Sequence, residues 1–233
     1  VAEYEEAVNG YNVVNTHVPE TIDVSGSKTW DDADDQDGKR PESITIYLLA
    51  DGEVVDSKIV TAEDKWSWAF TDLDKYSEGK EIEYKIAEKD VAEYEETVSG
   101  YDVTNTHEPE KISVRGEKVW DDADDQDGKR PESIMINLHA NGEIVDKKVV
   151  TAETQWSWSF GDLDKYAAGE EIEYTFTEEA VENYSTSYAN GGAVVTNSYT
   201  PEQTSIPVSK VWNDDNNRDG VRPDSVTVKL IAD

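Results

Sequence analysis

A lysine, a glutamate and an asparagine each stand where strand alternation calls for an apolar side chain, and together they could form a covalent bond. Successive side chains of a strand face opposite ways. Lys28 therefore shares a face with Ile22, Val24, Gly26 and Trp30. Glu88 follows Ile82, Tyr84 and Ile86 at one parity, and Asn105 follows Tyr101 and Val103. The set returns as Lys118 between Val114 and Trp120, Glu178 after Tyr174 and Phe176, and Asn197 after Ala193 and Val195. Burying three such groups separately would cost several kcal/mol each, so the parity predicts that they meet. Burial pushes an amine toward its neutral, nucleophilic form and a carboxyl toward its protonated form. Glu88 or Glu178, as the catalytic proton donor, can then polarise the asparagine carboxamide. The amine attacks, ammonia leaves, and a Lys-Asn isopeptide bond remains. Parity alone equally allows a plainer arrangement at strand ends, where the lysine reaches water and the pair is a modest salt bridge.

The elements that would position these groups are strands. Apolar residues alternate in Ile44, Ile46 and Leu48, in Trp66, Trp68 and Phe70, and in Ile82, Tyr84 and Ile86. Asp51-Gly52 and Asn141-Gly142 lie between apolar runs as hairpin turns, and Gly38 and Gly79 close polar loops. An all-β antiparallel sandwich follows. It is repeated, because Asp31 to Ile44 recurs unchanged as Asp121 to Ile134 and the opening segment restarts near the end. The expected organisation is the tail of a preceding repeat (1-19), two complete repeats (20-108 and 109-200) and the head of a following one (201-233). A period of about 90 residues suffices for a self-contained core, so the repeats read as beads on a string rather than a solenoid. One proline in each junction, Pro19, Pro109 and Pro201, stiffens the linkers and predicts a rod-like array.

Composition removes several function classes. There are 53 acidic against 21 basic residues, a formal net charge of −32. That charge, with no basic patch to offset it, argues against nucleic acid and anionic membrane surfaces as partners. No apolar run approaches the roughly 20 residues that span a bilayer, so no membrane insertion is expected, and the stretch opening at Val1 reads as internal to something longer. The absence of cysteine removes disulfides, thiol catalysis and zinc-thiolate sites. Seven Trp, twelve Tyr and three Phe at regular positions argue for a fold rather than a solvated polyelectrolyte.

The phrases GEKVWDDADDQDGKRPESI, WSWSFGDLDKY and EIEYTFTEE, and the closing VTNTH or VTNSY, resemble the collagen-adhesin B-type (CnaB-like) repeats of Gram-positive surface proteins, in order and over essentially the whole chain. The resemblance implies an inverse-immunoglobulin or prealbumin-like β-sandwich. In many members it also implies an autocatalytic isopeptide bond between a first-strand Lys and a last-strand Asn, promoted by an acidic residue. The matching positions are Lys28, Glu88 and Asn105, then Lys118, Glu178 and Asn197, with Asn15 and Lys210 as unpaired halves in the cut repeats. An extracellular place on a bacterial cell surface, anchored to the wall, is implied by the same likeness.

Other candidate sites carry less. In the acidic loop DDADDQDGKRP, an EF-hand counted back from Gly38 would begin at Ala33 and end at Ile44, neither of them a ligand. The third copy, with Asp215, Asn217, Asp219 and Gly220, fits the first half, but Val226 spoils its end. A solvated loop is expected there, with no metal and no cofactor. Trp66, Trp68, Trp156 and Trp158 have inward parity and suit core packing better than sugar platforms. His17, His107 and His139 show no metal-site spacing and read as loop or strand-end residues.

The sequence is thus read as a structural stalk or spacer of a cell-surface adhesin. Its chemistry is internal and single-turnover, so it is not an enzyme. Its partners are neighbouring repeats, with a host matrix ligand reached through a domain outside this stretch. Two rivals remain at this point: an adhesive module that itself binds a host extracellular-matrix protein, and a calcium-stiffened linker. Near-identical repeats suit a spacer better than a specific binding face, although avidity also uses repeats.

Overall fold

The computed structural model describes residues 2–231. A hairpin of β1 (Glu5–Asn9) and β2 (Asn12–Thr16) comes first. The first full module follows: β3 (Thr21–Asp31), β4 (Ser43–Ala50), β5 (Glu53–Thr61), β6 (Ser67–Asp74), β7 (Tyr76–Ser77), β8 (Lys80–Glu81), β9 (Tyr84–Glu88), β10 (Glu95–Ser99) and β11 (Asp102–Thr106). Its main strands make two sheets, in the orders β10-β11-β3-β6 and β5-β4-β9. The second module repeats this with β12 (Lys111–Asp121), β13 (Ser133–Ala140), β14 (Glu143–Thr151), β15 (Ser157–Asp164), β16 (Tyr166–Ala167), β17 (Glu170–Glu171), β18 (Tyr174–Glu178), β19 (Ser185–Ala189) and β20 (Val194–Ser198). Beyond β20 the described residues form no strand, and a polar turn spans 214–220.

The all-β tandem sandwich expected from period-two alternation is what forms. Val24, Trp68, Phe70 and Val103 from one sheet cluster with Ile44, Ile46, Leu48, Val60 and Ile86 from the other. Asp51 and Gly52 take φ of 50° and 92° in the β4-β5 turn, the left-handed pair that a two-residue hairpin requires. The first and last strands of a module are parallel neighbours, with Val103 opposite Lys28 and Asn105 opposite Trp30. Trp68 is core, and Trp66, which precedes β6 at φ 54°, is half-buried, packs against that core and meets the Trp30 ring edge-on at 5.2 Å.

The acidic loop is not a solvated loop throughout, contrary to the charge pattern. Asp32 and Asp37 are buried. Arg40 forks onto both Asp32 oxygens at 3.0 and 2.6 Å, while the Tyr94 hydroxyl and the Asp35 N–H donate to the same carboxylate. These bonds hold Ala33, Asp34 and Asp35 in three consecutive left-handed conformations that non-glycine residues adopt at a cost. Asp37 is buried by the next module, whose Glu110 N–H donates to its Oδ2 at 2.7 Å. Alongside, the Gly169 N–H donates to the Gln36 carbonyl and the Gln36 amide donates to Asp164. A Cβ on Gly38 would stand 2.6 Å from the Gly169 Cα, so the two backbones can touch there only because both are glycine.

Candidate functional site

Parallel pairing of β3 and β11 puts Lys28 and Asn105 on the inner wall of one sheet. β9 presents Glu88 from the facing sheet, opposite Ile46. The Lys28 Nζ donates to Glu88 Oε2 at 3.0 Å and lies 3.0 Å from Oε1. Neither side chain reaches water, at 0% and 1% exposure, so the strand-end arrangement with a snorkelling lysine does not occur. In the second module Lys118 Nζ stands 3.4 Å from Glu178 Oε1, again with both side chains fully buried. The Trp30 and Trp120 rings lie 4.7 and 4.4 Å from the respective ammonium groups and close each site from the side of the acidic loop.

Asn105 and Asn197 complete the walls and are almost wholly inaccessible. No hydrogen-bond partner reaches the oxygen or the nitrogen of either carboxamide among the described residues. An unsatisfied buried polar group costs about 1–3 kcal/mol, and here two such groups per module sit in the same core as an amine held by a carboxylate.

Electrostatics favour a reactive amine. Burial pushes Lys28 below the ordinary lysine range, opposed by its bond to Glu88 and by the nearby Glu96 charge. Burial pushes Lys118 down to about 8, against the attraction of Glu178. The modules differ beside the glutamate. Glu96 faces Asn105 across the hairpin and accepts weakly from the Glu88 N–H at 3.4 Å, whereas Thr186 faces Asn197 and its hydroxyl donates to Glu178 Oε2 at 3.2 Å. Sequence reasoning passed over Glu96 and Thr186. The signal was the hairpin register, which sets each directly opposite its asparagine.

The remaining sequence candidates stay apart. Asn15 is exposed in β2, and Lys210 is exposed, donating to the Val211 carbonyl and lying 4.1 Å from the Trp212 ring. Among the described residues neither meets a matching partner. His107, read as a loop or strand-end residue, directly follows β11 and contacts Asp37 of its own module, whose Oδ2 also accepts from the Glu110 N–H of the next. Its repeat equivalent is His17, whose Nδ1 makes the same bond to the Glu3 carbonyl that His107 makes to that of Glu93.

The Cna protein B-type domain matches residues 24–106, 114–198 and 206–233. A collagen adhesin of Staphylococcus aureus is 44% identical over 236 residues, covering 99% of this chain and 20% of its own length. The crystal structure of two B repeat units of the collagen binding protein of Staphylococcus aureus superposes with a TM-score of 0.71 at 42% identity, over 96% of this chain and 61% of that one. The chain thus spans only a fifth of the adhesin it matches.

Proposed function

The chain belongs to the Cna protein B-type domain family, and from that premise we propose that its modules form the stalk of an extracellular, wall-anchored bacterial adhesin, each complete module locked by its own Lys-Asn isopeptide bond. The observation that carries this is the partnerless carboxamide of Asn105, and of Asn197, buried beside a lysine-glutamate pair. In the reaction the lysine ammonium passes a proton to the glutamate. The neutral Nζ attacks the asparagine Cγ while the glutamate proton supports the carbonyl oxygen and then the leaving nitrogen. The Nζ–Cγ bond forms, the Cγ–Nδ2 bond breaks, one ammonia departs with the glutamate's proton, and the surplus proton on Nζ returns to the glutamate. Nothing turns over, so the glutamate is catalytic without the protein being an enzyme.

The spacer reading is favoured over a calcium-stiffened linker because the Asp32 oxygens are already taken by Arg40, Tyr94 and the Asp35 N–H. Any host ligand is expected to be held by parts of the adhesin outside this stretch. Intact-protein mass spectrometry tests the cross-link: the chain should weigh two ammonias less than its sequence, and peptide mapping should join Lys28 to Asn105 and Lys118 to Asn197. A mass equal to that of the sequence overturns the proposal.

A further inference from the structure

We propose that the joint between the two complete modules is a proton-gated clamp, closed when the His107 ring carries both its protons between Asp37 and the Glu93 carbonyl, and loosened when it is neutral. The argument begins with what each partner can do. His107 Nδ1 lies 2.9 Å from the Glu93 carbonyl oxygen, which can only accept, and Nε2 lies 3.0 Å from Asp37 Oδ2, which as a carboxylate also only accepts. Both ring nitrogens must therefore donate, and only the imidazolium does so. A neutral ring leaves one of these contacts as two facing lone pairs.

The clamp sits where it controls the joint. The Asp37 side chain is 0% exposed, its Oδ2 also accepts from the Glu110 N–H at the start of the second module, and its Oδ1 has no partner among the described residues. A buried carboxylate with one backbone donor needs a cation, and His107 is the cation in contact. The ring is faced by Asp37, the Glu93 carbonyl and the Tyr94 ring 5.4 Å away; Lys39 is paired to Glu93 and also feels Glu110 and Tyr166, Glu108 adjoins the histidine in sequence, and Lys165 of the second module is paired to Glu110. The bond from Asp37, with smaller help from Glu93, holds His107 above the ordinary histidine range against desolvation. A group raised in the closed state stabilises that state fully below its ordinary value, near 6.5, and the contribution is lost as pH climbs through the raised value. The joint is thus tight in acid and loosens toward alkaline pH.

The next junction supplies an internal comparison. There Tyr199 replaces the histidine, and its hydroxyl donates to Asp127 Oδ2 at 3.0 Å while the Glu202 N–H donates to the same oxygen. A phenol donates at any physiological pH, so that joint is insensitive to protons. The chain therefore carries joints of two kinds, a histidine joint that responds to acidity and a tyrosine joint that does not.

The test uses the whole chain, labelled for single-molecule energy transfer at Ser57→Cys and Glu143→Cys, exposed positions in a protein with no other cysteine. Between pH 5 and pH 8 the wild-type inter-module distance distribution should broaden. His107→Tyr should stay narrow at both pH values, and Asp37→Asn should be broad at both. In parallel, the His107 titration followed by NMR should move to lower pH in Asp37→Asn. A wild-type distribution unchanged with pH, or a His107→Tyr variant that keeps the pH response, overturns the proposal, as does a His107 midpoint indifferent to Asp37→Asn.

Discussion

Lys28 and Lys118 are chemically interesting because their burial is only partly compensated, and the one carboxylate in contact with each is Glu88 or Glu178. Replacing Glu88 or Glu178 by Ala is expected to stop cross-linking in that module, so that each variant loses one ammonia instead of two. The proposed bond would close a loop of about 77 residues, worth roughly 4 kcal/mol by the chain-entropy argument used for disulfides, so calorimetry should also show a clearly lower melting temperature in the variants. A different residue pair governs acid stability. Arg130 holds Asp122 down to about 2, against desolvation. A depressed carboxylate stabilises above its ordinary value, near 3.9, and the contribution fades as pH falls toward 2. Arg130→Ala leaves Asp122 buried without its cation and should cost about 3 kcal/mol, measurable by urea unfolding at pH 7 and largely erased at pH 2.

At the scale of the strand, the inner face of β3 has one place where no side chain fits. A Cβ on Gly26 would fall 1.8 Å from the Tyr101 carbonyl oxygen, and on Gly116 of β12 it would fall 2.4 Å from the Trp158 ring. Gly26→Ala or Gly116→Ala should therefore push the first strand off its parallel partner. The expected loss is about 3 kcal/mol or more, with slower ammonia release because lysine and asparagine no longer share a wall. This also marks what was legible in the sequence. Alternation in β3, β9 and β11 was enough to put Lys28, Glu88 and Asn105 on inward faces, because parity needs no knowledge of the partner strand. The roles of Asp32, Asp37 and His107 were not legible. Each depends on a contact across sequence, to Arg40 and Tyr94 or to the following module, and a run of aspartates looks alike whether solvated or clamped.

For the molecule as a whole, the placement of the proposed bond would decide how load is carried. In the proposed stalk, tension would enter a module along β3 and leave along β11, and a Lys28-Asn105 bond would join those two strands directly. Under force a cross-linked module should release no internal length. Lys28→Ala should add a step of about 260 Å from the 77 residues otherwise held, at about 3.4 Å per residue. Single-molecule pulling distinguishes the two, and wild-type steps of the larger size would remove the mechanical basis of the stalk.

The socket formed by Gln36, Asp37 and Gly38 lies between residues 28 and 105, inside the ring that the proposed cross-link would close and out of line with the pull. Tugging on such an array would draw Glu110 and Gly169 away from that socket without deforming it. The junction would then be a latch that yields before its housing does, and when the strain is released the housing would still be shaped to receive the neighbour again. Such a chain would give way in small, self-restoring slips at its junctions, absorbing intermittent shear without any module having to refold.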